Sequence, residues 1–133
     1  MKILFLCVAN SSRSQMAEGL AKHLLGDDHL IQSAGSYPSH VNHFAIKALQ
    51  KIGIDISKQW SKSIEDIDPD TVDLVITLCG EEFCPVAFDH AKKLHWPMPN
   101  PGGFSDEERL ENFCKVRDMI KKKIEELSET LLK

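Results

Sequence analysis

Five residues separate Cys7 from Arg13 in the stretch Cys7-Val8-Ala9-Asn10-Ser11-Ser12-Arg13-Ser14. A cysteine thiolate is a strong nucleophile, and a guanidinium matches the oxygens of a tetrahedral oxyanion with a planar fork of donors. The spacing alone carries little, because a lone cysteine at a strand end commonly serves as a small buried hydrophobe. Its setting gives it meaning. Ile3-Leu4-Phe5-Leu6 before it reads as a buried parallel strand, and the segment from Gln15 to Leu25 repeats apolar residues at 16, 17, 20, 21, 24 and 25, a helical recurrence. A short loop of small residues between strand and helix aims free backbone N–H groups, and the positive end of the helix dipole, at whatever it encloses. Val8, Ala9, Asn10, Ser11, Ser12, Arg13 and Ser14 are therefore the expected oxyanion cradle. The thiol of Cys7, in the same field, is expected well below the ordinary pKa of ~8.5.

The rest of the chain must position that loop. With 133 residues, 42% of them hydrophobic and 27% charged, the chain is expected to form one globular domain spanning 1–133. A net charge of −4 argues against a nucleic-acid surface, so an anion must be held by local fields. Met1-Lys2 opens directly into a strand without a leader pattern, and no apolar run approaches the ~20 residues of a membrane span. The cytosol is the expected compartment. There, four cysteines suggest catalysis, redox work or metal rather than structural disulfides.

Gly26 is expected to end the first helix, and His29–Gly35 to form a second strand. Val41, Phe44, Ala45, Ala48, Leu49 and Ile52 follow helical spacing up to Gly53, and a polar loop with helical turns runs from Ser57 to Pro69. Asp73–Cys79 reads as a third buried strand and Lys93–Trp96 as a fourth, with a short irregular helix predicted over Pro85–Lys92 between them. After a Pro/Gly-rich loop, Pro97–Phe104, the run Ser105-Asp106-Glu107-Glu108 resembles a capping box. The last helix follows, with Leu110, Phe113, Ile120, Ile124, Leu127 and Leu131 as its core stripe and Lys121-Lys122-Lys123 on its solvated side. Alternating strands and helices predict an α/β fold: a four-stranded parallel sheet with helices on both faces, a Rossmann-like three-layer arrangement. Sites in such sheets lie beyond the C-terminal ends of the strands, where Cys7 and Cys79 both fall.

Cys79 and Cys84, separated by Gly80-Glu81-Glu82-Phe83, are close enough for a disulfide if the turn bends, and are otherwise two incidental thiols. His90 and His95 would complete a Cys/Cys/His/His set, but only five residues separate Cys84 from His90, against the roughly a dozen of a zinc finger. No metal or cofactor is expected. Cys114, beside Phe113 in the last helix, is expected to serve packing. A thiolate in an oxyanion cradle is enough for phosphate-ester hydrolysis. A second pair of thiols adds a route for two electrons out of the protein and into an oxyanion that can be reduced. Phosphate cannot be reduced this way, whereas its near-isostere arsenate can.

The string Asn10-Ser11-Ser12-Arg13-Ser14-Gln15-Met16-Ala17-Glu18-Gly19 closely resembles the signature of arsenate reductases built on the low-molecular-weight tyrosine phosphatase fold. The resemblance continues through Ser33-Ala34-Gly35, Gly53-Ile54-Asp55-Ile56-Ser57, Leu74–Cys79, Cys84-Pro85, His95-Trp96, Asn100-Pro101 and Val116-Arg117-Asp118. Phosphatases of this fold usually have Pro where Gln15 stands and lack the Cys79/Cys84 pair; the thioredoxin-coupled reductases share both features with this chain. The resemblance implies catalytic roles for Cys7, Arg13, Cys79 and Cys84. Cys7 would attack arsenate, Cys79 would attack Cys7 to expel arsenite, and Cys84 would take over the disulfide from Cys7–Cys79. Thioredoxin or a similar thiol reductant would then reset a monomeric enzyme. It further implies a hydrogen bond from Ser14 to the Cys7 thiolate, a loop-shaping role for Asn10, and binding of phosphate or sulfate as mimics. The alternative reading is a low-molecular-weight tyrosine phosphatase acting on phosphate monoesters.

The chain departs from the pattern in four places. Ser12 replaces a common cysteine outside the relay, and the Cys79–Cys84 spacing is short. Asn100 stands where the family commonly has an aspartic acid that protonates the leaving oxygen, and an amide has no such proton to give. Some members bind potassium near positions equivalent to Asn10, Glu18 and Ser33. Lys62 falls about where a further acidic ligand would be, so its ammonium would take the cation's place.

Overall fold

The computed structural model describes residues 1–78, 88 and 90–130. Four strands, β1 (Lys2–Cys7), β2 (Leu30–Gly35), β3 (Leu74–Thr77) and β4 (Lys92–His95), form one parallel sheet in the order β2-β1-β3-β4. The apolar runs at 3–6 and 74–76 form its two central strands because they are covered on both faces and need no alternation. From β1 the chain first pairs on one side and then crosses back to the other. That reversal opens a crevice at the C-terminal ends of β1 and β3. Cys7 is the last residue of β1, paired with Gly35, and Leu78 N–H donates to Leu6 C=O at 3.0 Å just beyond β3.

Three helices, α1 (Arg13–Leu25), α2 (His43–Gln50) and α3 (Asp106–Thr130), pack against one another over one face of the sheet. Their core joins Ile3, Phe5, Leu74 and Ile76 from the sheet with Met16 and Leu20 of α1, Leu49 of α2, and Phe113, Ile120, Ile124 and Leu127 of α3. Leu4, Leu6, Ala34 and Val75 point the other way. Among the described residues that second face is covered by Ile67, Val72, Phe88 and Ala91, next to short 3₁₀ turns at Ile64–Asp66 and Pro69–Thr71. The polar run predicted as a loop with helical turns thus supplies those turns. The helix predicted over Pro85–Lys92 lies mostly outside the described residues.

α2 is shorter than its apolar periodicity. Asn42 caps it by accepting from Phe44 N–H, which leaves Val41 outside, and Ile52 falls past the end in the turn that Gly53 closes at φ 83°. The capping box of α3 is half as predicted. Ser105 Oγ accepts from Glu108 N–H at 3.2 Å, but the Glu108 carboxylate reaches back to Phe104 N–H at 3.4 Å rather than to the cap residue. Arg117, buried within the α3 stripe, donates from Nη1 to Ala48 C=O at 2.8 Å, placing a cation on the last turn of α2. Cys114 packs partly buried against the core, and Leu131 lies outside the described residues.

Candidate active site

The loop between β1 and α1 is held from outside by its carbonyls. Val8 C=O accepts from Tyr37 N–H at 2.9 Å, Ala9 C=O from Ser39 N–H and Ser61 Oγ, and Ser11 C=O from Asn42 N–H at 2.9 Å. Asn10 C=O accepts from Gln15 Nε2, and Ser12 C=O from Met16 N–H as α1 begins. With five consecutive carbonyls turned outward, the N–H groups of the same peptides face the enclosed side. Ser12 stands at the N-cap of α1 without a side-chain cap bond, so the first-turn amides are likewise left to the loop. This is the geometry of an anion cradle.

Two residues let the loop close so tightly. Asn10 adopts φ 47°, the left-handed region in which asparagine is among the better tolerated side chains. Gly35 lies directly behind the loop, where a Cβ would come within 2.4 Å of Val8 O and 2.8 Å of Asn10 N. Only a residue without a side chain fits there.

Cys7 is 3% exposed, and its Sγ lies 2.8 Å from Ser14 Oγ. Asn10 Nδ2 donates to the same Oγ at 2.8 Å. Arg13 reaches across the crevice from the start of α1 and donates from Nη1 to Met98 C=O at 3.0 Å, which ties its fork to the chain leaving β4. The sequence-predicted cradle, nucleophile and guanidinium are thus assembled within one strand–loop–helix unit. Cys79 and Cys84 lie outside the described residues. Asn100 is exposed and lines a cavity of about 320 Å³ with Asn112, Val116 and Met119 of α3. His95, weighed above as a zinc ligand, pairs through Nδ1 with Thr77 Oγ1.

Behind the loop lies a second polar layer. Glu18, 3% exposed, accepts from Ser33 Oγ at 2.6 Å, Lys22 Nζ at 2.7 Å and Lys62 Nζ at 3.3 Å. Lys62 also donates to Trp60 C=O at 3.0 Å and sits 4.7 Å from the centre of the Trp60 ring. Its ammonium therefore occupies the pocket formed with Glu18 and Ser33. Its backbone N–H donates to Asn10 Oδ1 at 2.7 Å, joining this layer to the loop.

Several residues that hold the loop carried no signal in the sequence. Tyr37, Ser39, Gln59 and Ser61 sit in polar segments without periodicity, and two of them act through backbone N–H groups that any residue possesses. The buried position of Gln15 under the loop likewise emerges only from the fold.

Comparison with known proteins fits this geometry. The family model described as "Low molecular weight phosphotyrosine protein phosphatase" matches residues 2–133. A protein named arsenate reductase from Bacillus subtilis (strain 168) is 43% identical over 132 residues, covering 96% of this chain and 95% of its own. A solved structure described as an arsenate reductase in the phosphate binding state superposes with a TM-score of 0.85 at 38% identity, covering 95% of each chain. A thioredoxin-dependent arsenate reductase from Corynebacterium glutamicum aligns at 28% identity with a TM-score of 0.67, over 93% of this chain and 61% of that one. With a family match over residues 2–133 and near full-length likeness to these proteins, the chain belongs to the low molecular weight phosphotyrosine protein phosphatase family, among its arsenate reductases.

Proposed function

We propose that this chain reduces arsenate to arsenite, with Cys7 as nucleophile and Cys79 and Cys84 as the thiols that carry away the oxidising equivalents. The observation that carries the proposal is the outward engagement of all five carbonyls of residues 8–12 around a thiol hydrogen-bonded to Ser14. A loop so held offers N–H groups from Val8 to Ser14, and the Arg13 fork, to a tetrahedral oxyanion. The names borne by the relatives point to arsenate as that anion.

The chemistry balances in three steps. The Cys7 thiolate attacks As(V), an As–S bond forms, and one As–O bond breaks as its oxygen leaves as water. The Cys79 thiolate then attacks Cys7 Sγ. As the S–S bond forms, the As–S electron pair passes to arsenic, which leaves as As(III) arsenite. Cys84 next attacks Cys79, freeing Cys7 and leaving a Cys79–Cys84 disulfide. A dithiol reductant of the thioredoxin class returns two electrons and two protons to it. The role assigned to Asn100 is the family's acid position without its acid: an amide that can donate a hydrogen bond but no proton. The supply of reduced dithiol fits a cytosolic protein, and one chain holds every group the cycle requires. Phosphate fits the same cradle as an unreactive competitor.

Arsenite formation by reduced protein, before and after adding a thioredoxin system, tests the proposal. One equivalent without the system and many with it are expected. Arsenite formation that survives Cys7→Ser overturns it.

A further inference from the structure

We propose that Gln15 and Gln59 are positioning residues that set the direction of a hydrogen-bond chain running Gln59–Gln15–Asn10–Ser14–Cys7, so that Ser14 donates to the Cys7 sulfur. The proposal rests on Cys7 being the nucleophile.

Each amide in this chain has its orientation fixed by a backbone group whose role is unambiguous. Gln59 Nε2 meets Gln15 C=O at 3.1 Å, and a carbonyl can only accept, so the Gln59 nitrogen must face Gln15. From there Gln59 Nε2 also donates to Gln15 Oε1 at 2.8 Å. Gln15 Nε2 faces two further carbonyls, Asn10 C=O at 3.1 Å and Trp60 C=O at 3.0 Å, which fixes that amide as well. The same nitrogen lies 3.0 Å from Asn10 Oδ1. Lys62 N–H, which can only donate, meets Asn10 Oδ1 at 2.7 Å and confirms that Asn10 presents its oxygen on this side. Asn10 Nδ2 must then point to Ser14 Oγ, 2.8 Å away. A hydroxyl that accepts from Asn10 keeps its single proton for another partner, and that partner is Cys7 Sγ at 2.8 Å.

The consequence is chemical. A serine hydroxyl beside a cysteine can accept from the thiol or donate to the thiolate, and only donation favours the reactive form. The chain biases that choice toward donation, because Oγ already accepts from Asn10 and its proton has the sulfur as its remaining partner among the described residues. It also holds Asn10 in its left-handed conformation, because Gln15 grips the Asn10 residue by both its backbone and side-chain oxygens. Gln15 is fully buried, whereas Gln59 is half-buried at the far end of the chain and meets it through its two hydrogen bonds to Gln15.

The test is the pH midpoint of Cys7 alkylation by iodoacetamide, read by mass spectrometry on the Cys7 peptide so that the other thiols do not interfere. Gln15→Met, which keeps the bulk and removes the donors, should raise the midpoint by about half to one pH unit. Gln59→Met should raise it by about half as much. In a Ser14→Ala background both shifts should vanish, because the chain then no longer ends on the sulfur. If Gln15→Met fails to fold, Gln59→Met alone and combined with Ser14→Ala decides. An unchanged midpoint in Gln59→Met, or a shift of equal size with Ser14 absent, overturns the proposal. A wild-type midpoint below that of an ordinary thiol, with no response to either variant, would sink the hydrogen-bond chain while leaving Cys7 as nucleophile intact; arsenite formation by Cys7→Ser would sink the latter.

Discussion

Gly35 and Asn10 meet back to back: a Cβ on Gly35 would stand 2.8 Å from Asn10 N, and nearer still to Val8 O. The last residue of β2 is thus the floor on which the loop between β1 and α1 rests. Gly35→Ala must push residues 8–10 inward or spread β2 from β1. Overpacking of this kind costs about 1–3 kcal/mol. Thermal unfolding should register that loss. Arsenate reduction should fall by more than the stability change explains, since the displaced amides are the cradle itself. A fully active, equally stable Gly35→Ala would show that the contact is relieved elsewhere.

Lys62 and Lys22 share the buried carboxylate of Glu18. Removing one partner of a buried ion pair commonly costs about 3–5 kcal/mol. Lys62→Met should cost less, because Lys22 and Ser33 Oγ remain on Glu18. The resident ammonium should also make the wild-type rate indifferent to exchanging sodium for potassium. Lys62→Asp, which replaces that cation with another acid, should make activity depend on potassium. Equal rates of Lys62→Asp in the two salts would count against this role for the ammonium.

The proposed relay makes the two thiol variants differ in kind. Cys84→Ser should complete one turnover and accumulate a Cys7–Cys79 disulfide. Cys79→Ser should release no arsenite and leave Cys7 reduced or carrying arsenic. Peptide mapping after a single addition of arsenate distinguishes these outcomes, and a Cys7–Cys84 or Cys7–Cys114 linkage would reverse the assignment.

Asn100 separates reduction from ester hydrolysis. A general acid contributes about 10²–10⁴-fold to the cleavage of a phosphate monoester, whereas arsenate arrives with its own hydroxyls and exchanges them readily. Asn100→Asp should therefore raise p-nitrophenyl phosphate hydrolysis far more than arsenate reduction when both are followed from pH 5 to 8. If neither rate changes, Asn100 does not stand at the acid position. Its exposure on the α3 side of the Pro97–Phe104 loop would then be its ordinary placement.

The local chemistry of this protein was legible in its residues. An apolar run ending in Cys7, a loop of small residues and an amphipathic helix opening at Arg13 specify strand, loop and helix through short-range rules, so the place of the proposed anion site was legible before any fold was known. Strand alternation with helices likewise sufficed for a parallel sheet. The supports of the loop were not legible. Tyr37, Ser39, Asn42 and Ser61 reach it from 29 to 52 residues away along the chain, and the register of β1 with β2 decides which of their groups meet which carbonyl. The same holds for the Gln59–Gln15–Asn10 chain and for the ammonium of Lys62 beneath it. Hydrogen bonds between distant polar residues leave no periodicity in a sequence. Only the packing of the helices and the following turns against the sheet brings those groups within hydrogen-bond distance of each other and gives the chain its direction.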